Sequence, residues 1–185
     1  MSPSATDPWP AIAAAQARDA AARLPFFIQD GGQACLAGSV ARAHLRALAR
    51  WPLALQLADG AVTLTLPAAE RSDFFTLANR RLQQDGLVIG WRDETYPVLA
   101  QVDGRLLATV ECAASRFWGT TTFGAHCNGY VADADGRPTH LWIARRAYSK
   151  PTDPGLLDNL VGGGVPHMAR RRPSACGEKA GKRPA

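Results

Sequence analysis

The chain contains no apolar run approaching the roughly 20 residues needed to cross a bilayer. Its Pro- and Ala-rich start has neither a basic n-region nor an apolar h-region. A spanning helix and a secretory leader are therefore not expected. Cysteine is sparse. Cys35, Cys112, Cys127 and Cys176 lie far apart with no CxxC pair, which argues against a zinc ribbon or a disulfide framework and predicts reduced thiols in a cytoplasmic protein. No G-K-[ST] follows the triple glycine at Gly162-Gly163-Gly164, so that segment is not a P-loop. No Ser-His-Asp or Cys-His set has a recognisable spacing.

What is present is ordinary for a globular chain. It has 185 residues, 46% of them hydrophobic and 20% charged. That length suits one domain or two small ones. The formal net charge is +5, but it is confined to one end. From Met168 onward the chain has Arg170, Arg171, Arg172, Lys179, Lys182 and Arg183 against Glu178, while the first 167 residues balance 15 basic against 15 acidic side chains. A basic tail without interleaved aromatics on a neutral body is not the stripe that reads nucleic acid, so no nucleic-acid partner is expected.

Along the chain, residues 1–10 read as a loose arm and 11–24 as an Ala-rich helix. Phe26-Phe27-Ile28 before Asp30-Gly31-Gly32 predicts a strand entering a turn. Residues 40–49 return to helix. Alternating leucines over 53–66, broken at Asp59-Gly60, predict a hairpin. A helix follows, with Ser72 as its cap, Phe74, Phe75, Leu77 and Leu82 as its apolar positions, and Asp85-Gly86 as its stop. A second hairpin is predicted over 98–110 around Asp103-Gly104. Trp51, Trp91 and Trp118 read as packing residues rather than a binding box.

Beyond Thr120 the strand-like runs 125–132 and 140–147 flank Asp133-Ala134-Asp135-Gly136. A turn-rich loop at 148–155 and a short apolar run at 156–161 come next, then the triple glycine. His126 and Cys127 are expected in the core of a strand, and His167 in a loop. The remaining residues have no apolar periodicity, so the second sheet would lack a covering helix.

Three stretches carry a resemblance: Ala-Arg-Arg-Ala-Tyr-Ser-Lys at 144–150, Pro-Gly-Leu-Leu-Asp-Asn at 154–159, and Gly-Gly-Gly-Val-Pro-His at 162–167. Their order resembles the approach to the Nudix box, G-x5-E-x7-R-E-U-x-E-E-x-G-U with U apolar. Their wording is similar to the subfamily related to the Nudix half of fungal thiamine pyrophosphokinases. That subfamily has an additional N-terminal α+β domain, which Gly90-Trp91-Arg92-Asp93-Glu94-Thr95-Tyr96-Pro97-Val98 resembles.

The resemblance implies an α+β chain. It would comprise an arm and helix (1–24), an α+β N-terminal domain (25–118), an incomplete Nudix α/β/α sandwich (119–167) and a basic disordered tail (168–185). It implies hydrolysis of a small-molecule organic diphosphate, thiamine diphosphate-like or nucleoside diphosphate-like, with Mg²⁺ held by box glutamates at i, i+3 and i+4 on one helix face. A non-catalytic remnant that binds a ligand or partner is the alternative. The family implies metal ligation by the Gly162 carbonyl, in a tight loop with positive φ. It implies substrate contacts from Arg145, Arg146, Lys150, Asp158, Asn159, Gly163 and Gly164. For Arg145, Arg146 and Lys150, phosphate contacts and solvated strand-end charges are equal readings. Asp158 and Asn159 either face substrate or shape the turn. The sequence carries no indication of oligomeric state.

The box itself breaks. If Gly163 opens it, the Arg-Glu pair falls at 177–178, where the chain has Gly177-Glu178. Glu178 matches by position alone, and no catalytic residue is assigned. Ala/Arg/Gly/Pro richness implies GC-rich codons. Read from the third base of codon 168, degenerate codons for the tail give Gly and four small residues, and can then spell E-R-L-R-R-E-G-W-E-E-A-G. In register with Gly163 this places R-E-G-W-E-E-A-G at 177–184. One arginine must then use an AGR codon, and position 169 cannot encode the first box glutamate. The expectation is a shift of reading frame near codon 168.

Overall fold

The computed structural model describes residues 19–58, 60–150 and 153–167. The expected arm, most of the expected first helix and the basic tail lie outside these residues. The fold is α+β, as the sequence implied. A four-stranded sheet has the order β2-β1-β4-β3, with β1 at Arg23–Asp30, β2 at Gln33–Ala41, β3 at Leu55–Ala58 and β4 at Ala61–Leu64. β1 runs parallel to β4, and the other neighbours are antiparallel. Gly31 and Gly32 close the β1–β2 turn at φ 56° and 85°, a region that side chains with a Cβ disfavour.

Two expectations fail here. Residues 23–24 begin β1 instead of ending a helix, because Leu24 is buried in the same alternation as Phe26 and Ile28. The helix expected over 40–49 shrinks to a 3-10 turn (Arg42–His44) and α1 (Leu45–Leu48), because Val40 completes β2. β2 has a mixed pattern with small residues and no clean alternation, so it was not visible as a strand.

The long helix α2 runs over Ala68–Gln84. Pro67 precedes its first turn, where a missing N–H is harmless, and Gly86 (φ 72°) lies just past its end. Ser72 is not the cap. It lies inside the helix, and its hydroxyl accepts the amide of Thr109 at 3.0 Å. Phe74, Phe75, Ala78 and Leu82 face the core, while Leu77 points to solvent. The second hairpin pairs β5 (Thr95–Leu99) with β6 (Leu106–Glu111), and α2 packs against β6.

The core gathers around Trp118, the last residue of α3 (Ser115–Trp118). Its ring lies 5.0 Å from Phe26, 5.2 Å from Phe75 and 5.2 Å from Phe117. Its indole N–H donates to Asn79 Oδ1 at 2.8 Å, which pairs the one polar atom of a fully buried ring. Trp51 and Trp91 pack on the rim of this cluster, so all three tryptophans are packing residues.

After Thr120 the chain forms three two-stranded pairs. β7 (Gly124–Cys127) pairs with β12 (Val161–Gly164). β8 (Gly129–Ala132) pairs with β9 (Pro138–Trp142). β10 (Ala144–Arg145) pairs with β11 (Leu157–Asp158). His126 and Cys127 do lie in a strand, but both are exposed, on opposite faces of β7, and neither face is covered at these positions among the described residues. Cys35 and Cys112 are free thiols, as expected. Cys127 is disulfide-bonded, which corrects the expectation of a reduced thiol at that position, for which no local cysteine motif gave a signal.

Candidate functional site

The triple glycine is extended strand. None of Gly162, Gly163 and Gly164 has positive φ, which corrects the expectation of a tight loop. Glycine is required here for closeness. A Cβ on Gly162 would lie 3.0 Å from His126 Nδ1, its cross-strand neighbour. A Cβ on Gly164 would overlap the hydroxyl of Tyr96. Tyr96 is buried in β5, so β12 lies directly against the first part of the fold. The His167 amide donates to the Thr95 carbonyl at 2.8 Å, and the Val165 amide to the Phe123 carbonyl at 2.9 Å. Burial, with the Cys112 thiol beside it, pushes the Tyr96 phenol well above its ordinary range; burial first also raises the Cys112 thiol.

The segment 90–98 supplies the opposing wall. Gly90 and Asp93 take left-handed φ of 74° and 56°. Trp91 sits under the Arg80 guanidinium at 4.1 Å and donates to Asp93 Oδ1 at 2.7 Å. The Arg92 amide donates to Glu111 Oε1 at 2.9 Å. These contacts fix the backbone and leave the Arg92 side chain exposed.

Between the walls lies a cavity of about 990 Å³. All eight residues assigned from the Nudix resemblance line it: Arg145, Arg146, Lys150, Asp158, Asn159, Gly162, Gly163 and Gly164. Their roles differ. Arg146 is held by Asp158 at 2.7 Å and donates to the Asp153 carbonyl at 3.0 Å. That hydrogen bond, followed by the Asn159 amide, lowers the Asp158 pKa. Arg145 donates to the Gly155 carbonyl at 3.1 Å. The side chain of Asn159 donates to Asn128 Oδ1 at 2.6 Å. Lys150 is exposed and has no partner among the described residues. His167 is half-buried and lies outside the lining.

Sequence reasoning missed Arg23, Arg92 and Arg116, which line the same cavity. Arg23 is tied to β2, its Nε donating to Ser39 Oγ at 2.8 Å. Arg92 lies within the 90–98 stretch that resembles the N-terminal domain of the subfamily, but nothing in that stretch says which way it faces. Asp158 is the sole acid on the lining among the described residues. The cavity can therefore receive an anion, through charge-assisted hydrogen bonds from guanidinium and ammonium groups. Mg²⁺ is another matter. Among the described residues no three His, Cys, Asp or Glu side chains converge as a metal site. Gly162 lies within a paired strand, and Asp158 is committed to Arg146. These residues do not fit a divalent metal.

Fold and cavity thus define an α+β protein with an anion-accepting cleft. Residues 11–122 match the family described as Domain of unknown function (DUF4743), and the chain belongs to that family. It is 39% identical over 112 residues to Nudix hydrolase 20, chloroplastic, of Arabidopsis thaliana, covering 59% of this chain and 29% of that protein. It is 38% identical over 103 residues to Nudix hydrolase 24, chloroplastic, of the same plant, covering 54% and 28%. An uncharacterized protein of Saccharomyces cerevisiae is 40% identical over 78 residues, covering 42% and 22%. The match thus takes in less than a third of each relative's length. Among the described residues no helix is long and apolar enough to cross a membrane.

Proposed function

We propose that this chain carries the substrate-approach part of a cytoplasmic Nudix-type hydrolase of organic diphosphates, thiamine diphosphate-like or nucleoside diphosphate-like. The α+β N-terminal domain spans residues 25–118, inside the stretch 11–122 that matches DUF4743, and a partial Nudix unit spans 119–167. One observation carries the reading. The residues matched to the Nudix approach converge on a single basic cleft, in a chain whose relatives are named Nudix hydrolases. Arg145 and Lys150 bind phosphate oxygens, Arg146 is positioned by Asp158, and the side-chain-free edge of Gly163 lets the diphosphate approach the backbone, while Gly164 keeps β12 seated on Tyr96.

The reaction is attack of water on one phosphorus and cleavage of the P–O–P bridge, with the leaving phosphate taking the proton. Mg²⁺ belongs to that chemistry in the family. The described residues do not hold it, so this chain binds without turnover. Residues 168–185 are read out of frame, and the missing carboxylates belong to the restored frame.

The test is to resequence across codon 168 and assay both products with Mg²⁺ on thiamine diphosphate and on nucleoside diphosphates. The restored-frame product releases phosphate and the given chain does not. Turnover by the given chain, or an unbroken frame with no diphosphate binding, would sink the proposal.

A further inference from the structure

We infer that the DUF4743 unit supplies its own phosphate-binding wall to this cleft, through Arg92 and Arg116. The inference rests on the diphosphate reading and extends it to residues outside the Nudix resemblance. Several arginines outside the cleft sit against an aspartate: Arg50 and Arg81 on Asp85, Arg71 and Arg105 on Asp30, and Arg80 on Asp93. Arg42, Arg46 and Arg137 outside the cleft have no such partner among the described residues either, and Arg146 inside it pairs with Asp158, but the cleft gathers the other unpaired cations in one place. Arg23, Arg92, Arg116, Arg145 and Lys150 line one cavity, and none has a carboxylate partner among the described residues. Like charges gathered along one cleft repel one another, to an extent that solvent and salt screen at exposed side chains. An anion of more than one charge relieves it.

Arg92 and Arg116 are placed for this role by what surrounds them. Ser115, Phe117 and Trp118 are buried, so α3 is anchored on both sides of Arg116 while its guanidinium stays exposed and unpartnered among the described residues. The backbone of Arg92 is pinned through Glu111, and its flanks through Trp91 and Tyr96. The backbone that carries both side chains is therefore already ordered, and only side-chain freedom is lost when a ligand is gripped. The hydroxyls of Ser115 and Thr120, on the same wall, also have no partner among the described residues. The fitting ligand is a diphosphate ester gripped from both sides. Arg145 and Lys150 hold one side, and Arg92 and Arg116 the other. About 990 Å³ leaves room for an organic moiety.

The experiment is calorimetric titration of the full chain with inorganic pyrophosphate, without metal and at low salt. It compares wild type with Arg92→Gln, Arg116→Gln, their double variant, Arg145→Gln, Lys150→Gln, and Arg137→Gln as a control outside the cleft. Circular dichroism checks folding. Both target arginines are exposed and unpaired, so folding is expected to survive. The double variant is expected to weaken binding by at least about tenfold, the loss expected from removing charge-assisted hydrogen bonds. Arg137→Gln is expected to bind as wild type does. Unchanged affinity in the double variant, equal loss in the control, or no pyrophosphate binding by wild type would each overturn the inference. The two readings separate cleanly. Loss at Arg145 and Lys150 alone would leave the Nudix cleft standing without the DUF4743 wall. Loss at Arg92 and Arg116 alone would leave this wall standing and remove the Nudix placement.

Discussion

Arg71 lies 4% exposed inside the fold and donates to Asp30 Oδ1 at 2.9 Å. The same guanidinium reaches the carbonyls of Gln29 at 2.8 Å, Leu66 at 3.1 Å and Leu107 at 3.3 Å. One side chain of α2 thus ties the end of β1 to the segment before the helix and to β6. A buried charge is tolerable when its donors are satisfied in this way, and removing it strands its acceptors. Arg71→Ala is expected to destabilise the chain by about 3 kcal/mol in urea unfolding, the low end for a broken buried pair because Asp30 remains partly exposed. Arg71→Lys should recover little, since an ammonium cannot reproduce the fork. A loss within about 0.5 kcal/mol, the usual range of a surface substitution, would show that the carbonyls find other donors.

The same pair sets an acid limit. The Arg71 hydrogen bond is the largest cause lowering the Asp30 pKa, and Arg146 does the same for Asp158. Each carboxylate has an ordinary value of 3.8 in the unfolded chain and a lower one when folded. The unfolded state therefore binds protons more readily, and stability from these groups is fully present above that value and lost as pH falls through the folded one. Unfolding followed between pH 7 and pH 2 should be flat in its upper range and decline below about 4. Asp30→Asn should flatten part of that decline. An identical acid slope in this variant would assign the decline to other carboxylates.

Gly164 tests how β12 meets β5. A methyl at this position overlaps the Tyr96 hydroxyl, and Tyr96 is buried. Gly164→Ala must therefore move a strand or a ring, at about 1–3 kcal/mol for overpacking. Amide exchange should accelerate in β7 and β12 while α2 stays protected. Tyr96→Phe in the same chain should recover part of the loss, since the ring carbon beneath the hydroxyl still stands 2.6 Å from the added methyl. Uniformly faster exchange would instead mean that the whole fold had loosened.

Sequence and structure agree most where a period is long and unbroken. The leucine hairpin, the Asp103-Gly104 hairpin and α2 were all legible, because alternation or 3.6-residue spacing ran over several turns. β2 was not, because Gly38 sits where a Cβ would collide with the Trp118 carbonyl, and that need for a small residue interrupts the pattern. The residues assigned from the Nudix wording do share one cavity. Arg116 was invisible because nothing local marks it. Its role depends on the burial of Phe117 and Trp118 beside it, a tertiary fact. Loop chemistry misled at the triple glycine, where glycine serves close packing against His126 and Tyr96 instead of a turn.

The β8–β9 ribbon governs how the chain behaves in solution. Every residue of β9 is exposed, and Tyr130, Leu141, Trp142 and Ile143 are 53%, 62%, 62% and 57% accessible. Tyr130 stands directly opposite Leu141, so these two are neighbours on one face of the ribbon, while Trp142, opposite Gly129, is exposed on the other. Contiguous apolar surface of this kind drives association when nothing covers it. An exposed two-stranded ribbon also offers open edges to another chain. The isolated protein is expected to bind a hydrophobic dye and to elute with concentration-dependent size on gel filtration. Leu141→Lys with Ile143→Lys should suppress both effects, with a change in melting free energy within about 0.5 kcal/mol, because surface changes away from packing are nearly neutral. A wild-type sample that is monodisperse at high concentration and melts cooperatively would mean that the ribbon is covered in solution. If the double lysine variant alone lost that cooperative melt, the cover would be part of this chain.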